Sequence, residues 1–279
     1  MEESDSTKHT FIDLHIHSTC SDGLLTPEEI VTLADQRGLC AISITDHDTM
    51  GATLEAMSAG EKNDVEVVPG IEMSVTYSYC EVHLLGYYIQ HDSPALEHYS
   101  QLLLQSRKER AVKIIEVLRK QGVKISLELV KLKSKEAPIG RPHIAEVLVE
   151  ENYAYSMQDA FNKYLGENRP ADIPKLSIGI EKAIRIIKES RGLAFFAHPA
   201  TVDCCEDVIH ELLRHGLDGI ETIHPKHSPE VQAHFHKIAQ KYDLLESGGS
   251  DCHGGRNGYI TMGTLPVPYT FLERIKERL

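Results

Sequence analysis

The chain has 279 residues, of which 41% are hydrophobic and 25% charged. That composition describes a globular chain with a real core, of one large domain or two ordinary ones. A formal net charge of -13 speaks against wrapping a long duplex through a basic surface. It leaves room for a small anionic substrate, because bound divalent cations reverse the local field. No apolar run approaches the ~20 residues that span a bilayer. The opening Met1-Glu2-Glu3-Ser4-Asp5 is the reverse of a signal peptide, so a cytoplasmic location and no membrane partner are expected. Six cysteines without Cys-x-x-Cys spacing are expected to be reduced thiols. Histidine is the outlier, with sixteen copies.

Residues 1–9 read as a frayed leader. Phe11 to His17 reads as a short buried strand that ends in two histidines. Strand residues i and i+2 share a face, so His15 and His17 can present two imidazoles to one point. A polar loop with Ser21, Asp22 and Gly23 follows. The next helix is clearly punctuated: Thr26 as N-cap, Pro27 at N1, acidic Glu28 and Glu29, and Gly38 as the stop. Leu39–Ile44 is a strand ending in Thr45-Asp46-His47-Asp48. A helix over about 51–61 leads to a strand at 65–68, which runs into Pro69-Gly70-Ile71-Glu72. Val82–Tyr87, with His83, is a fourth strand.

Residues 94–190 are then mostly helical: a long helix ending near Gly122, followed by helices at about 126–133, 141–151, 156–165 and 178–190. Alternation resumes afterwards. Leu193–Ala197 ends in His198-Pro199. A helix near 205–215 stops at Gly216, and Asp218–Ile223 ends in His224-Pro225. A helix runs to about Tyr242, and Leu244–Ser250 ends in Asp251-Cys252-His253. A last helix begins near Pro268. About seven strand-then-helix units, interrupted once, imply an α/β fold with a parallel sheet, and a barrel is the best architecture for them. The expected organisation is a barrel of residues 10–93 and 191–279, with residues 94–190 as a helical insertion.

Barrel enzymes build their sites at strand C-termini. His15, His17, His47, Glu72, His83, His198, Asp251 and His253 all fall at or near such ends. With Asp22 they give nine N/O ligands, too many for one ion. Mixed imidazole and carboxylate shells suit Mn, Fe or Zn better than Ca or Mg. Such clusters stabilise an in-line displacement at phosphorus.

These motifs, in order, resemble those of the PHP (polymerase and histidinol phosphatase) superfamily: His15-Ile16-His17, Thr45-Asp46-His47-Asp48, Pro69-Gly70-Ile71-Glu72, His83, Ala197-His198-Pro199 and Gly249-Ser250-Asp251-Cys252-His253. The resemblance covers about residues 11–260. It implies a distorted seven-stranded barrel and a site for two or three divalent transition ions, Mn ahead of Fe or Zn. By position, His15, His17, Glu72 and Asp251 would hold one ion. Glu72, His83 and His198 would hold a second. Asp22, His47 and His253 would hold a third, with Asp46 orienting a ligand.

Ile139–Ala145 and Gly219–Pro225 resemble the branch that removes the 3′-phosphate from nucleoside 3′,5′-bisphosphates, some of whose relatives trim short RNA from the 5′ end. In that branch Arg141 and His143 would contact phosphate, since guanidinium suits bidentate capture of its oxygens. An ordinary helix start is the alternative. His224 is a candidate to touch a phosphate or to protonate a leaving oxygen. Arg107 and Arg110 are either nucleotide contacts or a solvated helix face. Tyr77, Tyr79, Tyr87 and Tyr88 are weak base platforms, better read as packing. His227, His234 and His236 read as surface residues, and His9, His91, His98, His210 and His215 carry no role. The expected partner is a small phosphorylated nucleotide or short single-stranded RNA. The alternatives are a phosphatase for another phosphomonoester such as histidinol phosphate, or a PHP module without catalysis.

Overall fold

The computed structural model describes residues 11–134, 139–255 and 258–279. The acidic leader and His9 lie outside them. Elements in chain order are β1 (Phe11–Ile16), α1 (Pro27–Gln36), β2 (Leu39–Ile44), α2 (Thr53–Asn63), β3 (Glu66–Val67), β4 (Gly70–Tyr77) and β5 (Cys80–Tyr87). The helical stretch holds α3 (Pro94–Lys120), α4 (Leu127–Ser134), α5 (Arg141–Glu150) and α6 (Met157–Ala160), with a π-helical turn at Phe161–Leu165. Then come β6 (Ile178–Gly179), α7 (Ile180–Glu189), β7 (Leu193–Phe196), α8 (Cys205–Arg214), β8 (Gly219–Ile223), α9 (Pro229–Tyr242), β9 (Leu245–Gly248), β10 (Val267–Pro268) and α10 (Tyr269–Glu277).

Local chemistry sets the first helix as its punctuation predicts. Thr26 Oγ1 accepts from Glu29 N at 3.2 Å, and Glu29 Oε2 accepts from Thr26 N at 2.8 Å, a complete capping box with Pro27 at the first helical position.

The mixed α/β fold is as expected, but the distorted seven-stranded barrel is not seen as one continuous sheet. The strands form a four-stranded sheet, β10-β1-β2-β3, and a six-stranded sheet, β6-β4-β5-β7-β8-β9. Among the described residues only isolated bridges join them, Ile16 with Cys252 and His47 with Glu72. The reason is local: β3 has two paired residues, and the chain beyond β1, β2 and β9 turns into polar loops instead of continuing a ladder. The all-parallel expectation is also corrected. β5 runs antiparallel to both β4 and β7. Tyr77 and Cys80 face each other across a two-residue turn, with Ser78 at φ 53°, and so short a connection can only reverse the chain. Glu72 and His83 therefore lie within strands, not at strand C-termini. The expectation of six free thiols fails at one pair: Cys80 and Cys204 form a disulfide, while Cys20, Cys40, Cys205 and Cys252 are free.

Inside the sheets, Leu14, Leu85, Tyr87 and Phe195 are fully buried. A second core packs Ile71, Met73, Val82 and Leu84 from the outer face of β4 and β5 against α7 and the first turns of α3. The remaining helices have their own core, including Ile114, Leu118, Val130, Ile144, Leu148 and Leu165. At 27 residues α3 is about 40 Å long, which lets it enter both cores. No helix among the described residues is long and apolar enough to cross a membrane.

One buried ion pair fastens α3 to the sheet. Asp48 is 2% exposed and receives Ser74 N and Ser74 Oγ, both at 2.7 Å, together with Tyr99 OH and the Arg107 guanidinium. Burial alone would raise the Asp48 carboxyl, but Arg107 and Lys175 hold it well below the usual carboxylate range. Removing one partner of a buried pair strands the other. Asp48→Asn is expected to cost about 3–5 kcal/mol in urea denaturation. Asp48→Asn with Arg107→Met should recover part of that loss. A double variant less stable than Asp48→Asn would contradict this account.

Candidate metal centre

All nine ligand-type residues gather at the junction of the two sheets. His15 and His17 lie at the end of β1 and just beyond it, with Ile12 and Leu14 in the core on the intervening positions. The loop after β1 brings Asp22 back to them, and the loop after β9 brings Asp251 and His253. These loops sit close to β1. A Cβ on Gly249 would lie 2.4 Å from His15 N, and one on Gly23 would lie 2.2 Å from His17 O, so neither position admits a side chain without a shift. His198 (φ 28°) and Asp251 (φ 49°) both hold backbone conformations that residues with a Cβ seldom adopt, strain of the kind that collects at functional sites.

The Glu72 carboxylate, 1% exposed, lies at the centre. Its Oε2 is 2.9 Å from His47 Nδ1, 3.3 Å from His17 Nε2 and 3.5 Å from His15 Nε2. Its Oε1 is 2.7 Å from His83 Nδ1 and 2.9 Å from His198 Nε2. Asp251 Oδ1 lies 3.2 Å from His17 Nε2 and 3.6 Å from His15 Nε2, and Asp22 Oδ1 lies 3.4 Å from His253 Nε2.

Four groups have donor atoms close enough for a shared ion: His17, Asp22, His47 and His253; His15, Glu72 and His198; His15, His17 and Asp251; and His47, Glu72 and His83. The expected partition changes in detail: His17 also joins the Asp22 set, and His47 also reaches Glu72. The donor chemistry fits cations. His15 Nε2, both ring nitrogens of His17, His47 Nδ1 and Glu72 Oε2 are buried without a hydrogen-bond partner. Buried polar atoms are nearly always satisfied, and five orphans within one cluster of ligand groups suit divalent ions.

The surrounding groups fix which ring nitrogen faces the cluster. Glu221, fully buried in β8, takes His15 Nδ1–H at 3.0 Å and His198 N–H at 2.6 Å, so the His15 Nε2 lone pair points inward. Thr201 Oγ1 donates to His198 O at 2.9 Å and accepts from His198 Nδ1 at 2.9 Å, leaving His198 Nε2 for Glu72. His224 is arranged oppositely. Its Nδ1 accepts Lys226 N–H at 3.1 Å, so Nε2 carries the proton, 3.4 Å from Asp251 Oδ2.

Charges within the cluster are strongly coupled. Burial opposes ionisation of Glu72, but His47, His83 and His15 bring its carboxyl well below the usual range. Burial opposes protonation of His17, yet the adjacent Asp251 and Glu72 carboxylates push it up to about 10. Burial dominates at His47 and pulls it down to about 4.

Other expected residues have different surroundings. Asp46 accepts Ser18 N at 2.8 Å and Ser18 Oγ at 2.5 Å, and also Ser21 Oγ. Its carboxylate thus secures the loop that delivers Asp22, rather than a ligand imidazole. His143 is 3% exposed and its Nδ1 accepts Gly140 N–H at 3.0 Å, capping α5. Arg141 donates to Leu165 O at 3.2 Å and its guanidinium carbon lies 5.9 Å from the Phe161 ring centroid. Arg107 and Arg110 are half-buried, not a solvated face. Of the four tyrosines, Tyr87 is a core residue, Tyr79 is 89% exposed at the hairpin tip and Tyr88 bonds Glu66. His227, read as a surface residue, is 4% exposed with Nδ1 on Thr222 O at 3.0 Å. Sequence reasoning missed Glu221, Thr201 and Lys175. Only Glu221 left a signal, a lone carboxylate inside an apolar strand.

A cavity of about 340 Å³ opens onto Glu72, His83, His198, Asp251, His253 and Lys226. A family model described as PHP domain matches residues 13–192. The chain belongs to the PHP family. It is 32% identical over 256 residues to the 5′-3′ exoribonuclease Rnm of Escherichia coli (strain K12), covering 90% of this chain and 87% of that protein. It is 31% identical over 277 residues to the 3′,5′-nucleoside bisphosphate phosphatase of Chromobacterium violaceum, covering 96% and 97%. It is 32% identical over 251 residues to the phosphoribosyl 1,2-cyclic phosphate 1,2-diphosphodiesterase of Eggerthella lenta, covering 87% and 94%. A solved structure of a metal-dependent phosphoesterase from Bifidobacterium adolescentis superposes with a TM-score of 0.89 at 27% identity, covering 99% of this chain and 98% of that one. This PHP protein is a metal-dependent phosphoesterase.

Elemental analysis of gently purified protein is expected to find more than one transition ion per chain. Glu221→Ala should weaken metal retention about 10–100-fold against a calibrated chelator, the range for lost partners of ligand histidines. Unchanged retention would remove Glu221 from the metal-holding apparatus.

Proposed function

We propose that the protein removes the 3′-phosphate from nucleoside 3′,5′-bisphosphates, with 5′-to-3′ trimming of short single-stranded RNA as a related activity. One observation carries this reading. Arg107, Arg110 and Arg141 bring three guanidiniums together in the helical stretch, and only Arg107 has its charge met by a direct carboxylate contact, Asp48, among the described contacts. Burial first, then the charges of Arg141 and Arg107, pulls the Arg110 guanidinium down to about 10. Arg107 is paired with Asp48, while Arg110 Nε and Arg141 donate to backbone carbonyls, Ile173 O at 2.7 Å and Leu165 O at 3.2 Å. A second phosphate on the substrate, bound there, would relieve the repulsion. A monophosphate held by the metal cluster has no use for it.

In this reading residues 94–190 form a capping unit over a metal-binding unit of residues 10–93 and 191–279. His15, His17, Asp22, His47, Glu72, His83, His198, Asp251 and His253 hold two or three ions, with Mn preferred. The ions supply positive charge to the phosphoryl oxygens and Lewis acidity toward the attacking oxygen. Arg141 grips the phosphate that is not cleaved and so positions the other one. His224 Nε2–H donates a hydrogen bond to the leaving 3′-oxygen and keeps its proton, its tautomer set by Lys226 N. Ribose 1,2-cyclic phosphates are the second reading, since the Eggerthella relative is equally similar over most of its length.

Phosphate release from adenosine 3′,5′-bisphosphate, a ribose 1,2-cyclic phosphate and 5′-phosphorylated short RNA, with Mn²⁺ added, tests the assignment. Preference for the cyclic substrate would replace it. Arg141→Ala should lower kcat/KM on the bisphosphate about 100-fold, the loss of a charge-assisted hydrogen-bonding group. The loss on an aryl phosphate should be slight. Arg141→Lys should rescue in part, because ammonium keeps the charge and loses the fork. Equal losses on both substrates, with metal content unchanged, would place Arg141 in the fold rather than at the substrate.

A further inference from the structure

The nine ligands and three arginines account for phosphate and leave a neighbouring space unused. A cavity of about 610 Å³ lies between Asp22 and His253 on one side and Pro142, Met157, Gln158 and Phe161 on the other. That volume is within the usual range of small-molecule sites. Asp22 and His253 of one ligand group line it, and the helical stretch supplies Pro142, Met157 and Phe161 with the polar Ser156 and Gln158. Phe161 opens the π-helical turn after α6, an irregularity common at functional sites because it re-aims side chains. Its ring is only half-buried although it packs at the margin of the helical core.

We propose that this cavity is a nucleobase subsite. The base stacks on Phe161, flanked by Met157 and Pro142, while the phosphate faces Asp22 and His253. Arg141 links the two halves of the substrate site, because its guanidinium carbon sits 5.9 Å from the Phe161 ring centroid. Stacking on one phenyl ring accepts any base, since every base has a π-face. The subsite therefore selects nucleotides over sugar phosphates without choosing strongly among bases. The inference rests on the bisphosphate reading and deepens it.

The chain contains no tryptophan, so Phe161→Trp installs a single indole in the cavity. Its fluorescence should be quenched saturably by adenosine 3′,5′-bisphosphate, and left unchanged by an abasic ribose 3,5-bisphosphate. Phe161→Leu keeps apolar bulk and loses the π-face. It should lower kcat/KM about 10–100-fold on adenosine 3′,5′-bisphosphate, the loss of roughly 1–3 kcal/mol of stacking, and less than about threefold on the abasic compound. Equal losses on both substrates, or no loss on the nucleotide, overturn the subsite. Nucleotide binding by calorimetry without quenching of Phe161→Trp overturns it as well. Quenching of Phe161→Trp by the bisphosphate, with no hydrolysis of it by the wild-type protein, keeps the base cavity and removes the proposed activity. Hydrolysis with no sensitivity to Phe161 does the reverse, and absence of both removes both.

Discussion

The structure depends on how a carboxylate is kept in the protein interior at Glu72. Its side chain is surrounded by five imidazoles, and its backbone makes one of the two joints between the sheets among the described residues. Glu72 N donates to Asp46 O at 3.2 Å, and Glu72 O accepts from Asp48 N at 2.9 Å. The backbone bonds place β4 against the end of β2, which sets the side chain opposite His15, His17 and His47. The geometry of the ligand cluster is thus also the geometry of the sheet junction. A buried carboxylate is costly unless neutralised. Imidazolium can do this in part, but lone pairs left without partners at His15, His17 and His47 are not explained by protons on the rings. Cations resolve both the charge and the orphan atoms.

An imidazole can offer a lone pair or a proton, and the cluster uses both. The choice is made by atoms remote from the centre. Glu221 and Thr201 take the outer protons of His15 and His198 and turn lone pairs inward. A backbone N–H at Lys226 does the opposite to His224. Chemically identical side chains are thereby divided into ligands and a donor. No spacing rule in the sequence distinguishes them, because the decisive partners come from distant segments. His15 and Glu221 are 206 residues apart.

What could be read from the sequence was local periodicity and local punctuation. The His15-x-His17 face, the Thr26 N-cap and the strand at Leu39–Ile44 depend on residues within a few positions of one another, and they appear as expected. The reversal of β5 was hidden because its turn, Ser78-Tyr79, lacks the Asn-Gly or Asp-Gly signature of a two-residue hairpin. Glu72 consequently read as the end of one strand when it lies near the start of the next. Closure of the sheets was overestimated for a related reason. A barrel needs ladders at every seam, and here two seams are reduced to single bridges where ligand loops intervene. The pairing of Cys80 with Cys204 could not be read from spacing, since 124 residues separate them.

The acidic balance of the chain and an anionic substrate are compatible because positive charge is concentrated. A net charge of -13 is an average over the surface, while a phosphate meets only what lines the site. There Lys226 opens onto the cluster and three guanidiniums stand beside it on the helical stretch. Metal ions add charge at one end, and arginines at the other, with an aromatic cavity alongside. An anion with a single phosphate can neutralise one of these ends. On the proposed reading, a molecule carrying two phosphates and a flat ring would satisfy all three together. On that reading, binding energy gained at the arginines would be coupled to the placement of the other phosphate at the metal cluster. A diffuse basic surface of the same net charge would not supply that coupling.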